Sequence, residues 1–186
     1  MEVEVSAEAK DKRLNRLVAI TVVILSVFTG VCNIKDGNIV QAMAQAKADS
    51  VDRWAEYQAT KTKQHIAETA RGEIATLAGP TNGAAAAATR ALDVDIARYR
   101  AKAPGLAGEA QGFADRYDAL NVHDDQFDAS EALVSTAISM AAVSALVESF
   151  WLLIAAWAFG AMGLFMGICG FAGFAFHPDV LSSFLG

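Results

Sequence analysis

The sequence predicts an all-α integral membrane protein, with three transmembrane helices plus a helical extramembrane domain of long helices. Three observations carry this expectation. The 186 residues are 54% hydrophobic, with a mean hydropathy of +0.30, too apolar for an ordinary soluble domain. Apolar runs free of charge stand near the N-terminus and across the last third of the chain. Between them, apolar and small residues recur at helical steps over long stretches. The net charge of −6 also speaks against nucleic acid as a partner, because phosphate binding needs a basic face.

Residues 1–16 form a short segment bearing Lys10, Lys12, Arg13 and Arg16. By the positive-inside rule they hold the N-terminus in the cytoplasm. The first transmembrane helix is residues 17–34, LVAITVVILSVFTGVCNI, without one charge. At 1.5 Å per residue it approaches a hydrocarbon core of about 30 Å. No small-x-small cleavage site follows, and Thr29 and Val31 spoil TGVC as a lipoprotein box, so an uncleaved span is expected.

Residues 35–131 are expected to form the extramembrane helical domain, outside the cytoplasm. KDGN at Lys35–Asn38 reads as a turn. From Ile39 to Ala78 a helix is expected, with Val51, Trp54, Gln58, Thr62, Ile66, Ala70, Ile74 and Leu77 as its packing stripe. GPTNG at Gly79–Gly83 breaks it, and the alanine-rich segment from Ala84 has high helix propensity. Ala103-Pro104-Gly105 is expected to end that second helix, with a third starting near Leu106. Asp128 to Glu131 has the form of a capping box, or else lies at the waist of one continuous helix.

A single helix over residues 132–176 would be about 65 Å long, more than one bilayer needs. Two antiparallel spans, 132–148 and 150–176, fit better, with a tight turn at Glu148–Ser149 and residues 177–186 as a tail. The rival is an extramembrane or interfacial helix over 132–147. The last span is rich in glycine, and Gly160, Gly163, Gly167 and Gly170 fall on one face. In water each would cost about 1 kcal/mol against alanine. In lipid, attraction between helices comes from close backbone approach, which small residues permit, so the row reads as a helix-packing seam or glycine zipper. Its partner is another span of the same chain, a second copy, or a different protein.

Candidate chemistry is sparse. His123, Asp124, Asp125 and Asp128 are types that ligate divalent cations, but a solvated acidic stretch is the plainer account, so no metal is expected. His65 sits on a long helix beside Lys61 and Lys63, and His177 precedes Pro178 at a membrane edge. Glu148 would be a functional acid if buried in lipid, and merely wet at a turn. Ser135, Thr136, Ser139 and Ser144 either line a pore or bond back to their own helix. Cys32 and Cys169 fall in parallel spans, where a disulfide and two buried thiols are both open. There is no nucleophile–base set, cofactor motif or phosphate-cradling loop, so neither enzyme activity nor a cofactor is expected.

The stretch DSVDRWAEYQATKTKQHIAE, Asp49–Glu68, resembles the uncharacterised bacterial membrane proteins grouped as domain of unknown function 4337. Trp54, Tyr57, Gln58, Ala59, Lys61, Lys63 and His65 carry the likeness, and Thr60 stands where a lysine is expected. The resemblance implies three spans around a helical middle and attaches no activity. Trp54, Tyr57 and His65 are then packing anchors rather than catalysts. The expected protein is a non-catalytic component of a bacterial inner membrane. Lipid is one partner, and a second copy or a larger membrane complex is the other. The alternatives are a small oligomeric channel or an accessory subunit of a respiratory or photosynthetic complex.

Overall fold

In the computed structural model of the chain, residues 2–78 and 82–174 are described, with side chains from residue 12 onward. Among them the chain is all-helical: α1 (Glu2–Leu77), α2 (Gly83–Leu146) and α3 (Phe150–Ala172). The expected breaker at Gly79–Thr81, His177 and the 177–186 tail lie outside the described residues. Asn82 caps α2 by accepting at Oδ1 from the Ala85 N–H at 3.2 Å, so one orphan donor of the first turn is satisfied.

Two expected breaks do not occur. α1 runs through Lys35–Asn38 without a turn. One exposed glycine costs a helix only about 1 kcal/mol, and no proline accompanies Gly37. α2 likewise runs through Pro104, so no third helix begins at Leu106. Ala103 and Leu106, on either side of the proline, are both buried, and their packing holds the backbone helical where local propensity would end it. Asp128–Glu131 is mid-helix, the second of its two readings.

The chain forms two compact units. The first contains residues 1–42 and 119–186, and so brings together parts of all three helices. Leu14 and Val18 of α1 pack with Ala141 of α2 and with Leu153 and Ala156 of α3. Further along, Leu25 packs with Val134 and Ala137, and Ala129 and Leu133 pack with Met166. The outer surface stays apolar, with Val23, Ile24, Val27, Trp151, Phe165 and Ile168 all exposed. Each helix of the chain includes a stretch long and apolar enough to cross a membrane.

The turn from α2 to α3 is made without glycine or proline. Ser149 N–H reaches Ser144 O at 3.0 Å, and Glu148 takes the left-handed conformation at φ 52°. This is a Schellman closure with a glutamate at the position glycine usually holds. The end of α3 repeats it with glycine: Gly173 has φ 71°, and Phe174 N–H reaches Cys169 O at 3.2 Å.

The second unit, Met43–Asp118, is an antiparallel helical hairpin. On α2 its enclosed positions are Leu92, Ile96, Tyr99, Ala103, Leu106, Ala110, Phe113 and Tyr117, in alternating steps of four and three. On α1 they are Met43, Ala46, Ser50, Arg53, Tyr57, Thr60, Gln64 and Ala67, with the same alternation. That 3.5-residue period is the signature of a left-handed coiled coil. The stripe expected from sequence is not this seam: Val51, Trp54, Ile66 and Leu77 remain exposed. The hairpin instead uses small and polar residues that find partners across it. Ser50 Oγ donates to Ala110 O at 3.0 Å, and Arg53 pairs with Glu109, Lys102 with Glu56, Arg100 with Glu68 and Arg71 with Asp93. These pairs are solvent-exposed and screened, so each adds little to stability, and their main effect is to fix register.

Candidate functional site

The glycine row is the most closely packed feature of the first unit. Leu153, Ala156, Gly160, Gly163, Gly167 and Gly170 are buried along one face of α3. A methyl group placed on Gly163 would lie 2.6 Å from Val134 Cγ2 and 3.1 Å from Ser130 O. On Gly167 it would lie 2.6 Å from the Phe28 ring and 2.9 Å from Ser130 Oγ, and on Gly170 2.8 Å from the Phe127 ring. On Gly160 it would meet the tip of Leu25 at 3.2 Å and, at ordinary contact distance, Ala137 Cβ at 3.6 Å. The row therefore faces α1 and α2 of the same chain. Ser130 Oγ donates to Gly163 O at 2.8 Å, a bond the missing side chain makes room for. Trp157 Nε1 donates to Thr21 Oγ1 at 2.8 Å, tying α3 to α1. Phe127 meets Phe171 edge to face, with ring centres 5.1 Å apart.

Of the four hydroxyls weighed as pore-lining, three bond to their own helix: Thr136 to Ala132 O, Ser139 to Ser135 O and Ser144 to Ala141 O. Cys32 and Cys169 are both buried free thiols. Among the described residues no three His, Cys, Asp or Glu side chains are placed to hold a metal ion.

The motif residues belong to the second unit. Trp54 and Tyr57 meet edge to face with centroids 5.5 Å apart. Tyr57 also borders a shallow pocket of about 230 Å³ with Lys61, Gln64, Arg100 and Pro104. His65 stands at the surface, its side chain 69% exposed, with Nδ1 3.5 Å from Glu68. Trp54 and Tyr57 are thus brought together, and His65 is not part of their contact.

Sequence reasoning missed an acidic junction in the first unit. Asp36 of α1 faces Asp124 and Asp128 of α2. Its Oδ1 is buried and has no hydrogen-bond partner. Burial, then the neighbouring negative charges, pushes Asp124 up to about 6. Burial also raises Asp36 and Asp128, with Asp128 and Glu131 adding to the first and Asp125 to the second. Beside the junction, buried Gln126 donates from Nε2 to Phe174 O at 2.8 Å, while its Oε1 is 3.1 Å from His123 Nδ1. The signal was present in the spacing: Leu25, Cys32, Asp36, Ile39 and Met43 follow one enclosed face of α1 once the helix is read as continuous.

Fold and site together define an all-helical protein in which each of the three helices carries a stretch long and apolar enough to cross a membrane, with a glycine seam in the first unit and a helical hairpin as the second. The chain belongs to the family described as domain of unknown function DUF4337, which it matches over residues 14–173. No curated protein and no solved structure matches it.

Proposed function

We propose that this protein is a non-catalytic component of a bacterial inner membrane with a structural or assembly role. It crosses the bilayer three times, with the N-terminus in the cytoplasm and the hairpin on the far side. The observation that carries the reading is the pairing of a closed glycine seam with an apolar outer face. In water that face would be a large exposed apolar patch, whereas in lipid it is the expected surface. The seam supplies the close backbone contact that holds helices together where the hydrophobic effect does not. Because the row is occupied by helices of its own chain, assembly with a second copy or a larger complex falls to other surfaces. The exposed residues of the hairpin, Trp54 and Ile66 among them, are the ones we assign to it.

The test is fractionation followed by native mass spectrometry of the full chain in detergent. The protein should remain in the membrane pellet after alkaline carbonate extraction and should fly as an oligomer or with stoichiometric companions. Release into the carbonate supernatant sinks the membrane role, and a clean monomer without companions sinks the assembly role.

A further inference from the structure

We propose that Asp36 and Asp124 form a proton-operated latch between α1 and α2. While the two carboxyls share one proton they tie the helices together, and loss of that proton to water sets two negative charges face to face and loosens the join. The latch does not depend on the assembly role.

The geometry has three parts. Asp36 projects from the enclosed face of α1, between buried Cys32 and buried Ile39, so it cannot turn freely to solvent. Its Oδ1 is enclosed and no N–H or hydroxyl group reaches it. An ionised carboxylate held that way has lost water and gained nothing, which disfavours the charged form. Finally, the group opposite is another carboxyl. Asp124 and Asp36 stand close enough for their carboxyls to interact, and two carboxyl groups can bond only if one is protonated.

The surrounding charges reinforce the effect. From α2, Asp125, Asp128 and Glu131 add negative charge, and His123 lies nearby with its ring turned to Gln126. From α1, Lys35 is next in the chain and Cys32 is one turn away. The described part of α3 carries no Asp, Glu, Lys, Arg or His. Burial and these neighbours raise both acids, Asp124 to about 6. The folded state therefore binds the proton more tightly than the unfolded chain does. The stabilisation is full below the ordinary aspartate range and is lost as pH rises through about 6.

The test uses the full chain in detergent. Infrared spectra of the wild type should show a protonated carboxyl band that survives at about pH 5.5 and has gone by about pH 8. Asp124→Asn should remove that band. The wild-type Tm should fall as pH rises from about 4 to about 7, and Asp124→Asn should lose at least about half of that fall. Asp36→Asn, which relieves the facing charges, should raise Tm at neutral pH. A wild type without the band at about pH 5.5 overturns the latch whether or not the variants fold. So does an Asp124→Asn protein that follows the wild-type Tm curve.

Discussion

At Gly163 a single hydrogen atom separates a closed seam from a clash. A methyl group there would sit 2.6 Å from Val134 and 3.1 Å from the Ser130 carbonyl, and backbone cannot give way as a side-chain tip can. Gly163→Ala should therefore destabilise the helix packing by about 1–3 kcal/mol, the usual cost of overpacking. Gly160→Ala meets the yielding end of Leu25 and touches Ala137 at ordinary contact distance, and its gain of up to about 1 kcal/mol in helix propensity should leave it near neutral. Denaturant titrations in detergent separate the two, and equal midpoints for both variants would contradict the account. Glu148 presents the reverse case, an L-residue held at φ 52° where glycine is at ease. A left-handed residue costs about 1–2 kcal/mol, so Glu148→Gly should raise stability, offset in part by the greater freedom of glycine in the unfolded chain. A lower Tm for Glu148→Gly would mean that the carboxylate makes a contact that outweighs the strain.

At the scale of the helix, Pro104 is the clearest anomaly. It lies inside α2 and removes the N–H that would bond the Arg100 carbonyl. Flanking burial of Ala103 and Leu106 keeps the segment helical, so Pro104→Ala should stabilise α2 by about 1–3 kcal/mol, seen as a higher midpoint in helical circular dichroism melts. An unchanged midpoint would indicate that the proline is accommodated without loss. The same position explains why the middle of the chain was only partly legible. Local breakers at Gly37 and Pro104 are weighted by propensity, whereas the helices are decided by what they pack against. The α1 stripe failed for a related reason. Val51, Trp54, Ile66 and Leu77 are the larger apolar residues, but the coiled-coil period selects Ser50, Thr60 and Gln64, and the polar groups of Ser50 and Gln64 are partnered in place. Reading hydrophobicity alone therefore chose the wrong face. The glycine row was legible because spacing and residue size point the same way. The Asp36–Asp124 junction was not, because it needs two helices in register and a continuous α1.

For the molecule as a whole, the prediction that divides the readings is topological. If the apolar halves of α2 and α3 each cross the bilayer, the turn at Ser149 and the hairpin end at Asn82 lie on opposite sides. On the proposed topology, the positive-inside rule makes Lys12, Arg13 and Arg16 the residues that would set the sense of the first crossing. No Lys or Arg follows Arg116, so nothing later in the sequence competes with them. In a Cys32→Ala, Cys169→Ala background, Asn82→Cys should react with an impermeant maleimide added outside spheroplasts. Ser149→Cys should react only after the membrane is opened. Replacing Lys12, Arg13 and Arg16 by glutamine should give a mixed population in which both positions label partly from each side. Labelling of Asn82→Cys and Ser149→Cys from the same side in the unaltered background would mean that α2 does not cross. Its apolar half would then lie along the membrane surface, and the seam formed by Ser130, Val134 and the α3 glycines would have to be packed outside the hydrocarbon.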